Sequence, residues 1–206
     1  IIDFSAYYIL AAEIDNFLYL KKTQDYEHIK CLKRSIKGVI DDFLNEKGSA
    51  VSFYDNGQLI IGFSPRIENS IRDIGMICGI VGNKTGNTVS LGVSKLKKDV
   101  SLAHEAYMEA FEALKRKFYM GKNQVIFADD IGTLSTDNVF EVSRRQQLLN
   151  YLSIGNLEKT ITLLNEIFAE IYEKNISYDL MQLTCVRIIS VLNDVLEKAG
   201  LSQKTI

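Results

Sequence analysis

The sequence of 206 residues lacks a surplus of either charge: 24 Lys and Arg stand against 26 Asp and Glu, a formal net charge of −2 at pH 7. A general nucleic-acid or anionic-membrane binder needs excess cations to displace counterions, so neither DNA contact nor membrane binding is expected of this chain. Long apolar runs are also lacking. The longest, Ile74 to Gly82, is roughly half of what a membrane-spanning helix requires, and no basic-then-apolar leader opens the chain. Cysteine is scarce: Cys31, Cys78 and Cys185 are odd in number and far apart, without the paired spacing of a zinc site or a disulfide framework. They read as buried thiols in a reducing compartment, and the protein as soluble and cytoplasmic. There is no Gly-rich phosphate loop or Lys-Ser/Thr motif. His28 and His104 have no Ser, Cys or carboxylate at a catalytic spacing, so each reads as a surface or capping residue.

What is present is enough for one α/β core with a helical appendage. The chain opens at Ile1 and closes on Lys204-Thr205-Ile206, which reads as a domain excised from a longer protein. Tyr7 to Ala12 is an apolar run ending in the acidic pair Glu13 and Asp15, suited to a buried central strand with polar groups at its C-terminal end. Between Asp25 and Asn45 the residues Ile29, Leu32, Ile36, Ile40 and Phe43 recur at helical spacing, with Lys30, Lys33, Arg34 and Lys37 opposite. This predicts an amphipathic helix stopped by Gly48, its basic side a solvated face. Ala50–Tyr54 and Leu59–Ser64 flank Asp55-Asn56-Gly57, and Asn-Gly accepts the positive φ angles of a type I′ hairpin turn.

Ile67, Ile71, Ile74, Cys78 and Val81 step as a second helix, which a turn at Gly82 to Asn87 connects to a strand at Thr88 to Val93. Ser101 reads as the N-cap of a third helix that buries Ala106, Ala110, Ala113 and Leu114 and ends at Gly121; Val125 to Phe127 adds a last strand. Strand, helix, hairpin, helix, strand, helix, strand predicts an α+β fold, a mostly antiparallel ferredoxin-like sheet with helices on one face. Three amphipathic patterns follow the polar stretch Thr133 to Asn138, near 140–154, 157–174 and 178–199. The clearest stripe among them is Leu157, Ile161, Leu164, Phe168 and Ile171, and a small helical bundle accommodates all three. The expected division is 1–133 for the sheet domain and 134–206 for the helical extension.

Several of these phrases resemble a known family. Ser90-Leu91-Gly92-Val93, the Ala-rich helix from Ala106 to Leu114, Gly121-Lys122-Asn123-Gln124-Val125, and Glu13-Ile14-Asp15-Asn16-Phe17 are similar to the GGDEF domain, the fold of diguanylate cyclases. The run Ala106 to Asn123, and Leu148 to Leu152 followed by Gly155 to Lys159, look like the degenerate GGDEF-like middle domain of YesN-type response regulators of the AraC family. That resemblance implies a two-component transcription regulator. A receiver or sensor domain would precede this chain, and an AraC-type helix-turn-helix, the part that binds DNA, would follow it.

The resemblance also locates what has been lost. Tyr54 and Asp55 stand where the family hairpin has glycines, and Asn56 and Gly57 where it has its acidic pair. A bulky Tyr obstructs phosphates, and the metal-binding carboxylate of the hairpin is gone. Leu18 to Asp25 has no match to the guanine-reading residues, and Asn45 to Gly48 none to the Arg-x-x-Asp feedback site. No catalytic residue, metal ligand or cofactor is therefore expected. Glu13 and Asp15 read as solvated carboxylates at a strand end, or as the remnant of a ligand site with Tyr54, Asp55 and Asn56. Tyr7, Tyr8, Phe17 and Tyr54 read as core rather than as a pocket lining. The expected function is a non-catalytic regulatory and homodimerising module of a transcription regulator, the alternative a small-molecule or nucleotide sensor using the eroded cleft.

Overall fold

The computed structural model describes residues 5–66 and 71–200, which fall in two compact units, residues 1–131 and 132–206. The first unit runs β1 (Tyr8–Ile14), α1 (Phe17–Thr23), α2 (Tyr26–Lys47), β2 (Gly48–Asp55), β3 (Gln58–Pro65), α3 (Ile71–Ile74), α4 (Ile77–Thr85), β4 (Val89–Val93), α5 (Ala103–Lys115), α6 (Lys117–Met120) and β5 (Val125–Phe127). Its sheet has the order β2-β3-β1-β4-β5. The first four strands pair antiparallel, as a ferredoxin-like βαββ-αβ chain requires, and β5 is added parallel to β4.

Local chemistry accounts for most of these elements. Asp25 caps α2 by accepting a hydrogen bond from the His28 N–H at 2.7 Å, and Ile29, Leu32, Ile36, Ile40 and Leu44 form its buried row. The hairpin turn is the two residues Asn56 and Gly57, with φ of 47° and 92°, the type I′ geometry that matches the twist of the flanking strands. Asp99, not Ser101, caps the turn that leads into α5, accepting from the Ser101 N–H at 2.9 Å. α4 runs to Thr85, beyond the expected turn at Gly82, and ends on Gly86 at φ 68°. The expected single helix from Ile67 to Val81 is two, α3 and α4, and Ile67 lies outside the described residues. α1 has no counterpart among the sequence expectations.

Helices cover both faces of the sheet, not one. Tyr8, Leu10, Ala12 and Ile14 of β1 pack with Leu59, Ile61, Val89 and Leu91 against α2 and α4. Ala11 and Ile60 pack on the opposite face with Ala110 and Leu114 of α5. The reason is that both parities of the central strands are apolar or small, so a one-sided arrangement would leave half of β1 and all of α5's Ala row in water. The expected burial of all three thiols holds for Cys78 alone. Cys31 is exposed on the solvent arc of α2, and Cys185 is half-buried.

The second unit comprises α7 (Val142–Ser153), α8 (Leu157–Glu173) and α9 (Tyr178–Lys198), with α7 packed against both of the others. Asn156 and Ser177 cap α8 and α9 through the N–H groups of Lys159 and Leu180. Of the stripe that looks clearest in the sequence only Ile171 is fully buried: α8 buries Thr160, Leu163, Ile167 and Ile171, whereas Leu157, Ile161 and Phe168 are exposed.

One close approach sets the spacing between sheet and α5. A Cβ placed on Gly92 would stand 2.0 Å from the Ala110 carbonyl oxygen and 2.3 Å from the Leu114 nitrogen, backbone atoms that cannot rotate away. Gly92→Ala is therefore expected to force α5 off the sheet and to cost about 3 kcal/mol or more, read as a loss of melting temperature in a thermal unfolding series; an unchanged melting temperature would contradict this packing.

Candidate functional site

At the end of the sheet where β1 stops, the chain gathers Glu13, Asp15, Ser90, Lys117 and Asn123. Register brings the first pair of strands together there, since Glu13 lies opposite Ser90. Asp15 follows β1 and is 3% exposed, so it is not the solvated carboxylate the sequence suggests. Its Oδ1 accepts from the Ser90 hydroxyl at 2.8 Å, and its Oδ2 accepts from the Asn123 N–H at 3.0 Å. The same N–H also reaches Ser90 Oγ at 3.1 Å. The Lys117 ammonium stands 3.0 Å from Glu13 Oε2 and 3.8 Å from Asp15 Oδ1.

These contacts explain the turn before β5. Gly121 and Asn123 both take positive φ, 94° and 61°, and that path presents the Asn123 N–H to Asp15. Lys122 reaches the Asn16 side chain, so two consecutive turn residues grip the end of β1. Among the described residues no cluster of three or more His, Cys, Asp or Glu is placed to hold a metal ion.

The five residues proposed from sequence as a ligand set are distributed as follows. Glu13 and Asp15 share the α5 side of the sheet with Ser90 and Lys117. Tyr54 is on the other side, packed with the core beneath α2, and its hydroxyl donates to the Lys33 carbonyl at 2.8 Å. Burial, reinforced by the nearby Asp41 carboxylate, pushes the Tyr54 phenol up to about 12. The Lys33 ammonium lies over both the Phe17 ring, at 4.9 Å, and the Tyr54 ring, at 5.1 Å, so the space between α1, α2 and the hairpin is filled by the protein's own side chains. Asp55 and Asn56 are exposed at the hairpin tip, with β3 lying between their strand and β1. Sequence spacing does not connect Ser90, Lys117 and Asn123 with Asp15, since only the strand register and a turn 108 residues away join them.

Cys78 is a buried thiol pushed up to about 12, first by burial and then by the Asp15 charge; it is a poor nucleophile in that state. At the opposite end of the sheet the ammonium of Lys97, itself buried, donates to Glu105 and to Glu109 at 2.9 Å. Burial pulls that ammonium down, yet its two carboxylate partners more than offset this and hold it above its ordinary value. In the helical unit, a cavity of about 410 Å³ is lined by Asp137, Arg144, Glu170 and Lys174, whose charges pair with one another across it.

The fold has relatives among solved structures. The chain is similar to the GGDEF domain of DgcB from Caulobacter crescentus in complex with c-di-GMP, at 18% identity over 61% of this chain and 79% of that one, TM-score 0.48. It is similar to the active GGEEF domain of a diguanylate cyclase from Vibrio cholerae, at 12% identity over 60% of this chain and 83% of that one, TM-score 0.47. Csm1 in T. onnurineus matches 90% of this chain and 37% of its own, at 12% identity and TM-score 0.37. No family model matches the chain, and no curated protein matches it.

If Asp15 is a structural latch, its removal must destabilise the sheet domain. Asp15→Ala is expected to cost about 2–3 kcal/mol, the scale of lost hydrogen bonds to a buried charge, a fall of roughly 5–10 °C in melting temperature for a chain of this size. A carboxylate kept for a ligand behaves in the opposite way. Its removal relieves unfavourable charge and raises the melting temperature.

Proposed function

We propose that this chain is a non-catalytic regulatory and dimerisation module of a bacterial transcription regulator, coupling a sensor or receiver domain to an AraC-type helix-turn-helix. The observation that carries the non-catalytic part is Lys117. Its ammonium occupies the position between Glu13 and Asp15, the acidic pair at this end of the sheet, while Ser90 and Asn123 take up the Asp15 oxygens. A carboxylate pair neutralised by an internal cation has little left for metal-assisted phosphate chemistry.

The hairpin supports the same reading. Tyr54 is tied down under α2 and the turn is a tight Asn56-Gly57 type I′ geometry, which needs no ligand to explain it. The regulatory context rests on the phrases Ala106 to Asn123 and Leu148 to Lys159, and α7 to α9 would form the conduit to a DNA-binding part. A change in the relative placement of two protomers would then decide whether paired DNA-binding heads match their half-sites.

Incubation with GTP and magnesium is expected to release no pyrophosphate, and GTP, cyclic-di-GMP and magnesium are each expected to leave the melting temperature within about 1 °C of the untreated chain. Pyrophosphate release would establish a cyclase and overturn the proposal. A saturable rise in melting temperature without turnover would replace it with the ligand-sensor reading.

A further inference from the structure

β2 is the outermost strand of the order β2-β3-β1-β4-β5, and its composition makes that edge prone to add strands. Ser49 to Tyr54 carries neither a charge nor a proline, the character and about the six-residue length of segments that stack on one another as cross-β. Val51 and Phe53, on the face turned away from α2, are each 56% exposed. All of β2 pairs with β3 in one unbroken register from Gly48 to Asp55, so no bulge turns the edge aside.

The hairpin fixes which backbone groups look outward. Its two-residue turn makes Asp55 and Gln58 a hydrogen-bonded pair, so the bonds to β3 come from Asp55, Phe53, Val51 and Ser49. At the far end the Arg66 N–H donates to the Lys47 carbonyl at 3.1 Å, which keeps the same parity. Gly48, Ala50, Ser52 and Tyr54 therefore turn their N–H groups away from β3. α2 runs into β2 with no loop between Lys47 and Gly48, and its last turns lie along this edge. The Leu44 carbonyl accepts from the Gly48 N–H. The Asn45 side chain folds back so that its Oδ1 accepts from the Ala50 N–H at 3.0 Å. Two residues on, the Ser52 hydroxyl donates to Asp41, which also holds the Lys37 ammonium. Among the described residues, only the outward N–H groups of Ser52 and Tyr54 are left without an acceptor from this chain.

We propose that the C-terminal half of α2 guards the β2 edge against strand addition by a second copy, with Asn45 as the residue that closes it. An incoming strand needs the outward N–H and C=O groups of alternate residues in succession. Asn45 occupies the donor at Ala50, and the Lys37–Asp41 ion pair sets two charges beside Ser52 that an added strand would have to desolvate. The open stretch is cut to Ser52 and Tyr54, below the usual length of a strand. The helix itself gives no reason for Asn45, which is exposed near the end of α2, where Ala, Lys or Glu would favour the helix more. The inference goes beyond the regulatory reading and does not rest on it.

The test follows assembly of the full chain by thioflavin fluorescence and light scattering, for wild type, Asn45→Ala and Asn45→Asp. Asn45→Ala is expected to build thioflavin-binding species beyond the wild-type mass at least about tenfold faster than wild type, the weight of a hydrogen bond or two gained per added strand. Asn45→Asp keeps an acceptor for the Ala50 N–H and is expected to behave as wild type. Asn87→Ala removes a side-chain bond of the same kind, to the Thr85 carbonyl at 2.9 Å, away from β2; it controls for lost stability and is expected to assemble no faster than wild type. Adding Phe53→Lys to Asn45→Ala should restore the wild-type rate, because a lysine on an edge opposes pairing. In the assembled Asn45→Ala chain the N–H groups of Ala50, Ser52 and Tyr54 should become protected from hydrogen exchange. An Asn45→Ala chain that assembles no faster than wild type, an Asn45→Asp or Asn87→Ala chain that assembles like Asn45→Ala, or assemblies that leave β2 unprotected would each overturn the inference. Should Asn45→Ala lose its fold, Lys37→Ala/Asp41→Ala, which lifts the charges from Ser52, takes its place against the same controls.

Discussion

The sheet unit depends on one buried carboxylate. Burying Asp15 without partners would cost several kcal/mol, and the chain meets that cost with contacts drawn from three remote segments: the Ser90 hydroxyl, the Asn123 N–H and the Lys117 ammonium. Because each contact comes from a different element, β1, β4, α6 and the turn before β5 must all be in place for any of them to be satisfied. The positive φ angles at Gly121 and Asn123 are the backbone expression of the same requirement. Lys97 plays the corresponding part at the other end of the sheet, where Glu105 and Glu109 hold the approach to α5.

Between these two ends, close packing sets the layers. Gly92 lets α5 approach until its backbone lies where a side chain would otherwise be, and Ala106, Ala110 and Ala113 keep the inner face of α5 small enough to use that space. On the other face the larger row of α2 meets Leu10, Ile61 and Leu91. A sheet with two apolar faces needs both layers, which is why the helices divide between them. In this arrangement the acidic pair at the end of β1 serves the packing. Glu13 and Asp15 bind a lysine of their own chain, and the tyrosine of the hairpin is anchored to a helix carbonyl.

The helical unit poses a different physical question, because more apolar surface is present than its three helices hide. α8 satisfies its intramolecular packing with one row and displays another, and α9 likewise leaves Leu183, Val186 and Ile189 in water. In water such surface favours association in proportion to the area that can be covered.

Period and turn chemistry determined much of this protein from sequence alone. The order of the strands, the Asn56-Gly57 turn, most of the buried rows of α2 and α5 and the limits of α7 to α9 follow from residues close together in the chain, where side-chain spacing and backbone preference act directly, whereas α1 and the break between α3 and α4 do not. Tertiary structure decided what depends on residues far apart. Period marks a row as apolar but not what covers it, so Leu157, Ile161 and Phe168 look like core in the sequence and face water in the fold. It shows Glu13 and Asp15 at a strand end but not that Lys117 and Asn123 close over them, since strand register and a turn more than a hundred residues away put those groups within hydrogen-bond reach.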